Sequence, residues 1–185
     1  MTTAPDRVIL GIDPGTSVMG FGIITVRGKK YEVNSLGVMQ LSKLSDHYSR
    51  LEKIFTRVTS LVKEFGITEM AIEAPFYGVN VQSMLKLGRA QGVCIAAAMT
   101  LQIPVHEYAP RKIKLSVTGN GNASKEQVAD MLKHMLVFQT DSRFLDATDA
   151  LAVALCHINN SSFSEKKGSI KSWEEFIKKN PGRKL

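Results

Sequence analysis

At 185 residues, with 44% hydrophobic and 22% charged residues, the chain fits one folded domain with a full core and excludes a disordered polymer. Its net charge of +7 favours a polyanionic partner, nucleic acid first among them. Two distant cysteines, Cys94 and Cys156, form no C-x-x-C pattern; they suggest neither zinc nor a disulfide framework and are expected as reduced core thiols. The longest apolar run, 93–101, is too short to cross a membrane, and residues 1–7 carry no apolar signal segment, so a soluble cytoplasmic protein is expected.

Arg7 to Ile12 (RVILGI) reads as a buried, β-branched strand ending in the turn Asp13-Pro14-Gly15-Thr16. Strands follow at Gly20 to Val26 and Tyr31 to Leu41, the latter with a polar kink at Asn34-Ser35, and their short turns imply an antiparallel meander. Apolar residues from Tyr48 to Phe65 recur at steps of three and four, predicting an amphipathic helix capped by Ser45 and stopped by Gly66. Glu69 to Glu73 is a short buried strand, Asn80 to Leu101 a second long helix, and Pro104 to Tyr108 a fifth strand. Arg111 to Val117 predicts a short helix, and Ser124 with Gln127 makes a capping box for another reaching Leu136. A last helix is expected over Phe144 to Ile158. The order βββαβαβα means an α/β domain over residues 1–158, a mixed sheet with helices on its faces. Residues 159–185 read as a basic tail: a polar linker over 159–168, then a short helix around Trp173. Seven Lys/Arg against three Glu from Ser164 onward place +4 of the net charge there.

Four acids are unusually placed. Asp13 ends a strand before Pro-Gly, which suits an Asx-turn equally well, and sugar kinases and actin-like ATPases open with a comparable phosphate-handling turn. Glu73 finishes a buried strand, where a charge needs partners or must point to solvent. Asp146 and Asp149 share one helix face, and like charges so placed repel unless a cation lies between them. The helix dipole favours Asp146 near the N-terminus but explains Asp149 less well, since Asp149 opens the apolar run ALAVAL. Two strand-end acids and a helical pair can converge at one end of a sheet, and oxygen-only ligands suit Mg²⁺, with Mn²⁺ as substitute. One or two such ions would activate water and stabilise a leaving oxygen in phosphodiester hydrolysis. His47, His106, His134 and His157 show no metal spacing and read as scattered.

The stretches ILGIDPGT, GFGII, AIEAPF, MLKLGRAQGV, YAPRKIK and DATDALAVAL occur in order between Val8 and His157. In this combination the chain resembles the RuvC family of bacterial Holliday-junction resolvases. The resemblance implies an RNase H-like fold, a five-stranded mixed sheet flanked by helices. It implies a homodimer that nicks two strands of a four-way DNA junction symmetrically with Mg²⁺, alongside the branch-migration proteins RuvA and RuvB. Its metal-binding acids correspond to Asp13, Glu73, Asp146 and Asp149. Phe76 corresponds to an aromatic that stacks on a base near the junction centre, with Tyr77 beside it. Lys114 and Lys125 correspond to lysines near the scissile phosphate, while Lys86, Arg89, Arg111 and Lys112 are candidates for backbone phosphates. The second long helix, through Gly88 and Gly92, would contribute to the dimer interface. Val79 departs from the pattern, standing where relatives often carry a lysine.

Three rivals follow from the same residues. An actin-like ATPase would need a second nucleotide-binding half, for which 185 residues leave no room. A superfamily relative acting on RNA would lack the full Phe76 segment, and a non-catalytic junction binder would have lost an acid.

Overall fold

In the structure, a computed structural model describing residues 6–75, 80–138 and 145–166, five strands form one sheet in the order β3-β2-β1-β4-β5. They are β1 (Arg7–Asp13), β2 (Val18–Arg27), β3 (Lys30–Gln40), β4 (Glu69–Glu73) and β5 (Val105–Tyr108). β2 runs antiparallel to β1 and β3, whereas β4 is parallel to β1 and β5 to β4. The expected meander followed by parallel crossovers is therefore present. Pairing of β2 with β3 slips at Asn34, which Ile23↔Ser35 and Ile24↔Val33 leave unmatched; Thr25 Oγ1 donates to its side-chain oxygen at 2.7 Å. The polar kink read from the sequence is this β-bulge.

Helices α1 (His47–Phe65) and α2 (Val81–Met99) make the two crossovers and cover one face. Ile54, Val58 and Leu61 of α1 pack with Leu10, Ile12, Met70 and Ile72 there, each fully buried side chain contributing about 1.5–3 kcal/mol. The other face carries α3 (Pro110–Thr118), α4 (Lys125–Met135) and α5 (Leu145–Lys166) over Ile9, Ile24 and Ala71. Side chains alternate along a strand, so Leu10 and Ile12 face α1 while Ile9, Gly11 and Asp13 face α5. The same alternation sends Met70 and Ile72 one way and Glu69, Ala71 and Glu73 the other. Two acids thus reach one face and one end by strand periodicity alone.

α5 lies directly on the sheet. A Cβ on Gly11 would collide with the Ala150 carbonyl oxygen, and one on Gly20 with that of Asp146. Glycine at both places lets helix and strand backbones touch.

Two sequence expectations need correction. The α1 cap is Asp46, not Ser45: its carboxylate accepts from the Ser49 amide at 2.9 Å, and an acid there also suits the helix dipole. The capping box of α4 forms as expected. α5 does not stop at Ile158 but runs to Lys166, through the stretch read as a linker. Asn160 Nδ2 donates to the Cys156 carbonyl at 2.8 Å and Ser161 Oγ to that of Ile158 at 3.0 Å, so these poor helix formers bond back onto the preceding turn. Phe76, Tyr77, Val79, the Phe144 helix start and the tail from residue 167 lie outside the described residues. Cys94 and Cys156 are both buried and free, as expected. Among the described residues no helix is long and apolar enough to cross a membrane.

Candidate metal centre

β1 and β4 deliver Asp13 and Glu73 to the same end of the sheet, and the first turns of α5 deliver Asp146 and Asp149 beside them. Carboxylate oxygens of Asp13, Asp146 and Asp149 lie within 4.8 Å of one another. Glu73 is not in that group but shares a cleft of about 340 Å³ with Asp13, Asp149, Lys114 and Lys125. A second, smaller cleft on the α2 side is lined by Asp13, Glu73, Leu87 and Gln91. The turn after Asp13 is held from α1, where Arg50 donates to the Thr16 carbonyl at 3.1 Å and to that of Leu44.

The acids are held under strain of charge. Burial, with Glu73 and Asp149 nearby, pushes the Asp13 carboxyl up to about 8. Burial and the Asp149 charge push Glu73 up to about 7, and burial raises Asp149 as well. Lys125 partly relieves them. Its Nζ lies 2.5 Å from Asp149 Oδ2 and 3.4 Å from Asp146 Oδ1. Burial works against its charge, but the bond to Asp149 and the neighbouring acids outweigh it, so the ammonium titrates above its usual range. An oxygen-only donor set of clustered carboxylates, already drawing in the Lys125 ammonium, fits a hard divalent ion.

The remaining predicted residues divide. Lys114 lines the main cleft, where its charge lowers Glu73 and Asp149. Lys112 instead sits over the Tyr108 ring, 5.0 Å from its centroid. Lys86 and Arg89 on α2 and Arg111 on α3 are exposed and line neither cleft.

Sequence reading missed two features. Gln91, buried on α2, donates through Nε2 to the Glu73 carbonyl at 3.4 Å and to Glu107 Oε2 at 3.0 Å, so it braces the end of β4. At the opposite end of the sheet the histidines are not scattered. His157 donates to or accepts from Glu69 Oε2 and Tyr108 Oη, each at 2.7 Å, and stacks on His106 at 4.4 Å. Arg7 grips both oxygens of the same Glu69, at 2.6 and 2.9 Å. Strand alternation from Glu73 back to Glu69, and from Asp13 back to Arg7, was the available signal for this cluster.

The family profile described as crossover junction endodeoxyribonuclease RuvC matches residues 9–157, from β1 into α5. The chain belongs to the RuvC family. A RuvC of Cytophaga hutchinsonii is 57% identical over 96% of this chain and 88% of its own length. One from Bacteroides fragilis is 51% identical, covering 96% of each. Among solved structures, Thermus thermophilus RuvC in complex with Holliday junction substrate superposes with a TM-score of 0.79 at 31% identity, over 85% of this chain and 96% of that one. The RuvC match contains all four acids, Gln91 and both cleft lysines.

Proposed function

We propose that this chain is a divalent-metal-dependent endonuclease that resolves four-way DNA junctions by paired symmetric nicks. The observation that carries this reading is the meeting of Asp13, Asp146 and Asp149 within 4.8 Å, with Glu73 across the same cleft. In it, Asp13, Glu73, Asp146 and Asp149 hold Mg²⁺, or Mn²⁺, as one or two ions. Bound there, the cation supplies Lewis-acid activation of water and of the phosphodiester. The chain's own residues do the rest. α5 and β1 fix the carboxylates rigidly, Gln91 braces Glu73, and Lys114 and Lys125 meet the phosphates flanking the scissile bond. Phe76 and Tyr77 stack on bases at the junction centre, and Lys86, Arg89, Arg111 and Lys112 neutralise more distant phosphates.

Two symmetric nicks call for two active sites, and α2 offers the surface for a homodimer. Val81, Leu85, Gly88, Gly92 and Met99 fall at alternating steps of four and three, or their sum, along one exposed stripe. Among the described residues a Cβ on Gly88 or Gly92 would meet nothing within 4 Å beyond its own helix, so both glycines suit a close-packed second helix. In the cell the homodimer acts with RuvA and RuvB, in the bacterial cytoplasm.

The test is to incubate the protein with synthetic four-way junction, linear duplex and RNA–DNA hybrid, with Mg²⁺ or EDTA. Paired nicks in the junction alone, absent with EDTA and with Asp13→Asn while binding persists, are expected. Equal cleavage of duplex or hybrid overturns the junction-specific reading; binding without any cleavage by the wild type means a junction-binding protein. Leu85→Glu, read by light scattering, is expected to shift the dimer to monomer.

A further inference from the structure

We propose that Lys125 is the internal counter-ion of the carboxylate cluster, released from Asp149 when a divalent cation binds and thereby handed to a DNA phosphate. The inference rests on the metal-dependent reading above and adds to it a coupling between cation and substrate.

Three observations on different parts of the residue carry it. Its ammonium bridges Asp149 and Asp146, the two acids of α5, rather than projecting into solvent as a surface lysine would. Its backbone opens α4, where the positive end of the helix dipole repels a cation, so the position is unfavourable for the helix and calls for another reason. Its side chain is 52% exposed whereas that of Asp149 is 14% exposed, so the ammonium can leave and the acid cannot. The Ser124–Gln127 capping box pins the start of α4, which keeps the lysine stem rooted at the rim of the cleft while its tip moves.

Charge then dictates the order of events. A dication and an ammonium bound to the same carboxylate repel each other, and the more exposed, singly charged partner yields. Swung off Asp149, Lys125 stays beside a site that has just gained positive charge, where the nearest available anion is a phosphate. Among the described residues Lys114 lines the same cleft with no ion pair to Asp146 or Asp149, and it serves as the fixed cation throughout.

The experiment compares the full-length wild type with Lys125→Met and Lys125→Arg. Calorimetric titration with Mg²⁺ alone, without DNA, reads the competition directly. Lys125→Met is expected to bind Mg²⁺ on the order of threefold to tenfold more tightly than wild type, and Lys125→Arg to stay near wild type. Fluorescence anisotropy with a four-way junction, using Ca²⁺ and checking on a denaturing gel that the substrate stays intact, reads the coupling. The Ca²⁺-induced gain in junction affinity is expected to be several-fold larger for wild type than for Lys125→Met. Unchanged or weaker Mg²⁺ binding by Lys125→Met overturns the inference, as does an equal Ca²⁺-induced gain in both proteins. If the wild type itself takes up no Mg²⁺, it is the metal-dependent reading that fails instead.

Discussion

β1 and β4 lie side by side and each carries a charged residue at both ends on the face beneath α5, yet the two ends are built on opposite principles. At their start, Arg7 meets Glu69, an opposite pair closed by His157 and Tyr108, and the Arg7 hydrogen bonds pull the Glu69 carboxyl down to about 2. At their finish, Asp13 meets Glu73, a like pair that burial pushes up to about 8 and 7, with Glu73 and Asp149 adding to the rise of Asp13 and Asp149 to that of Glu73. One end satisfies itself. The other gathers like charge, and under the function proposed above that difference separates a clamp from a reaction centre on the same two strands.

Removing a charge should therefore have opposite consequences at the two ends. Asp13→Asn is expected to lower cleavage at least about 10³-fold while raising the melting temperature of the metal-free protein, since it removes both a ligand and a source of repulsion. A gel-based cleavage rate paired with a thermal melt checks it, and a loss of both would make Asp13 a structural residue. Glu69→Ala should do the reverse, leaving Arg7 and His157 without their shared partner. The expected loss is about 2 kcal/mol, below the range for fully buried pairs because some water reaches this one. Cleavage per folded molecule should stay close to wild type, and a matching fall in activity would dissolve the distinction between the ends.

The two ends also respond to pH with opposite sign. Asp13 and Glu73 titrate higher folded than unfolded, so their contribution is present below about pH 4 and drains away as pH rises through 7 and 8. Glu69, lowered, contributes above its unfolded value near 4.5 and loses that contribution as pH falls toward 2. Burial lowers His157 despite its bond to Glu69, so it too supports the fold above its unfolded value and loses that support as the pH falls. The stabilisation conferred by Mg²⁺ should consequently grow between pH 5 and 8 and level off above. Thermal melts with and without Mg²⁺ across that range measure it, and an increment flat with pH would mean that the acids are already ionised. The smallest effect is expected at Gln91→Ala, a severalfold fall in Mg²⁺ affinity with the fold kept, readable by calorimetry.

How far each end could be read beforehand follows from the same contrast. Asp13, Glu73, Asp146 and Asp149 stood out because an acid closing a buried strand, or opening an apolar helix, contradicts its surroundings. Arg7 and Glu69 contradict nothing: each opens a strand at what looks like an ordinary solvent boundary, and their partner His157 lies 88 residues beyond Glu69. Lys125 was placed near the scissile phosphate only through family resemblance, since pairing with Asp149 depends on how α4 crosses α5. The run past Ile158 was hidden because Asn159, Asn160 and Ser161 are poor helix formers, and the bonds they make, Asn159 to Ser116 of α3 and the other two back onto the preceding turn, are not readable from propensity.

The contact of α5 with β1 and β2 has a bearing on how this protein can change. Where Gly11 and Gly20 touch the helix, backbone meets backbone, and no rotamer can absorb an added methyl group. Elsewhere in the core a larger residue can be traded against a smaller neighbour, but along this strip there is nothing to trade. Added volume is therefore better borne on the α1 and α2 side, while the close approach of the two backbones fixes the spacing of Asp146 from Asp13.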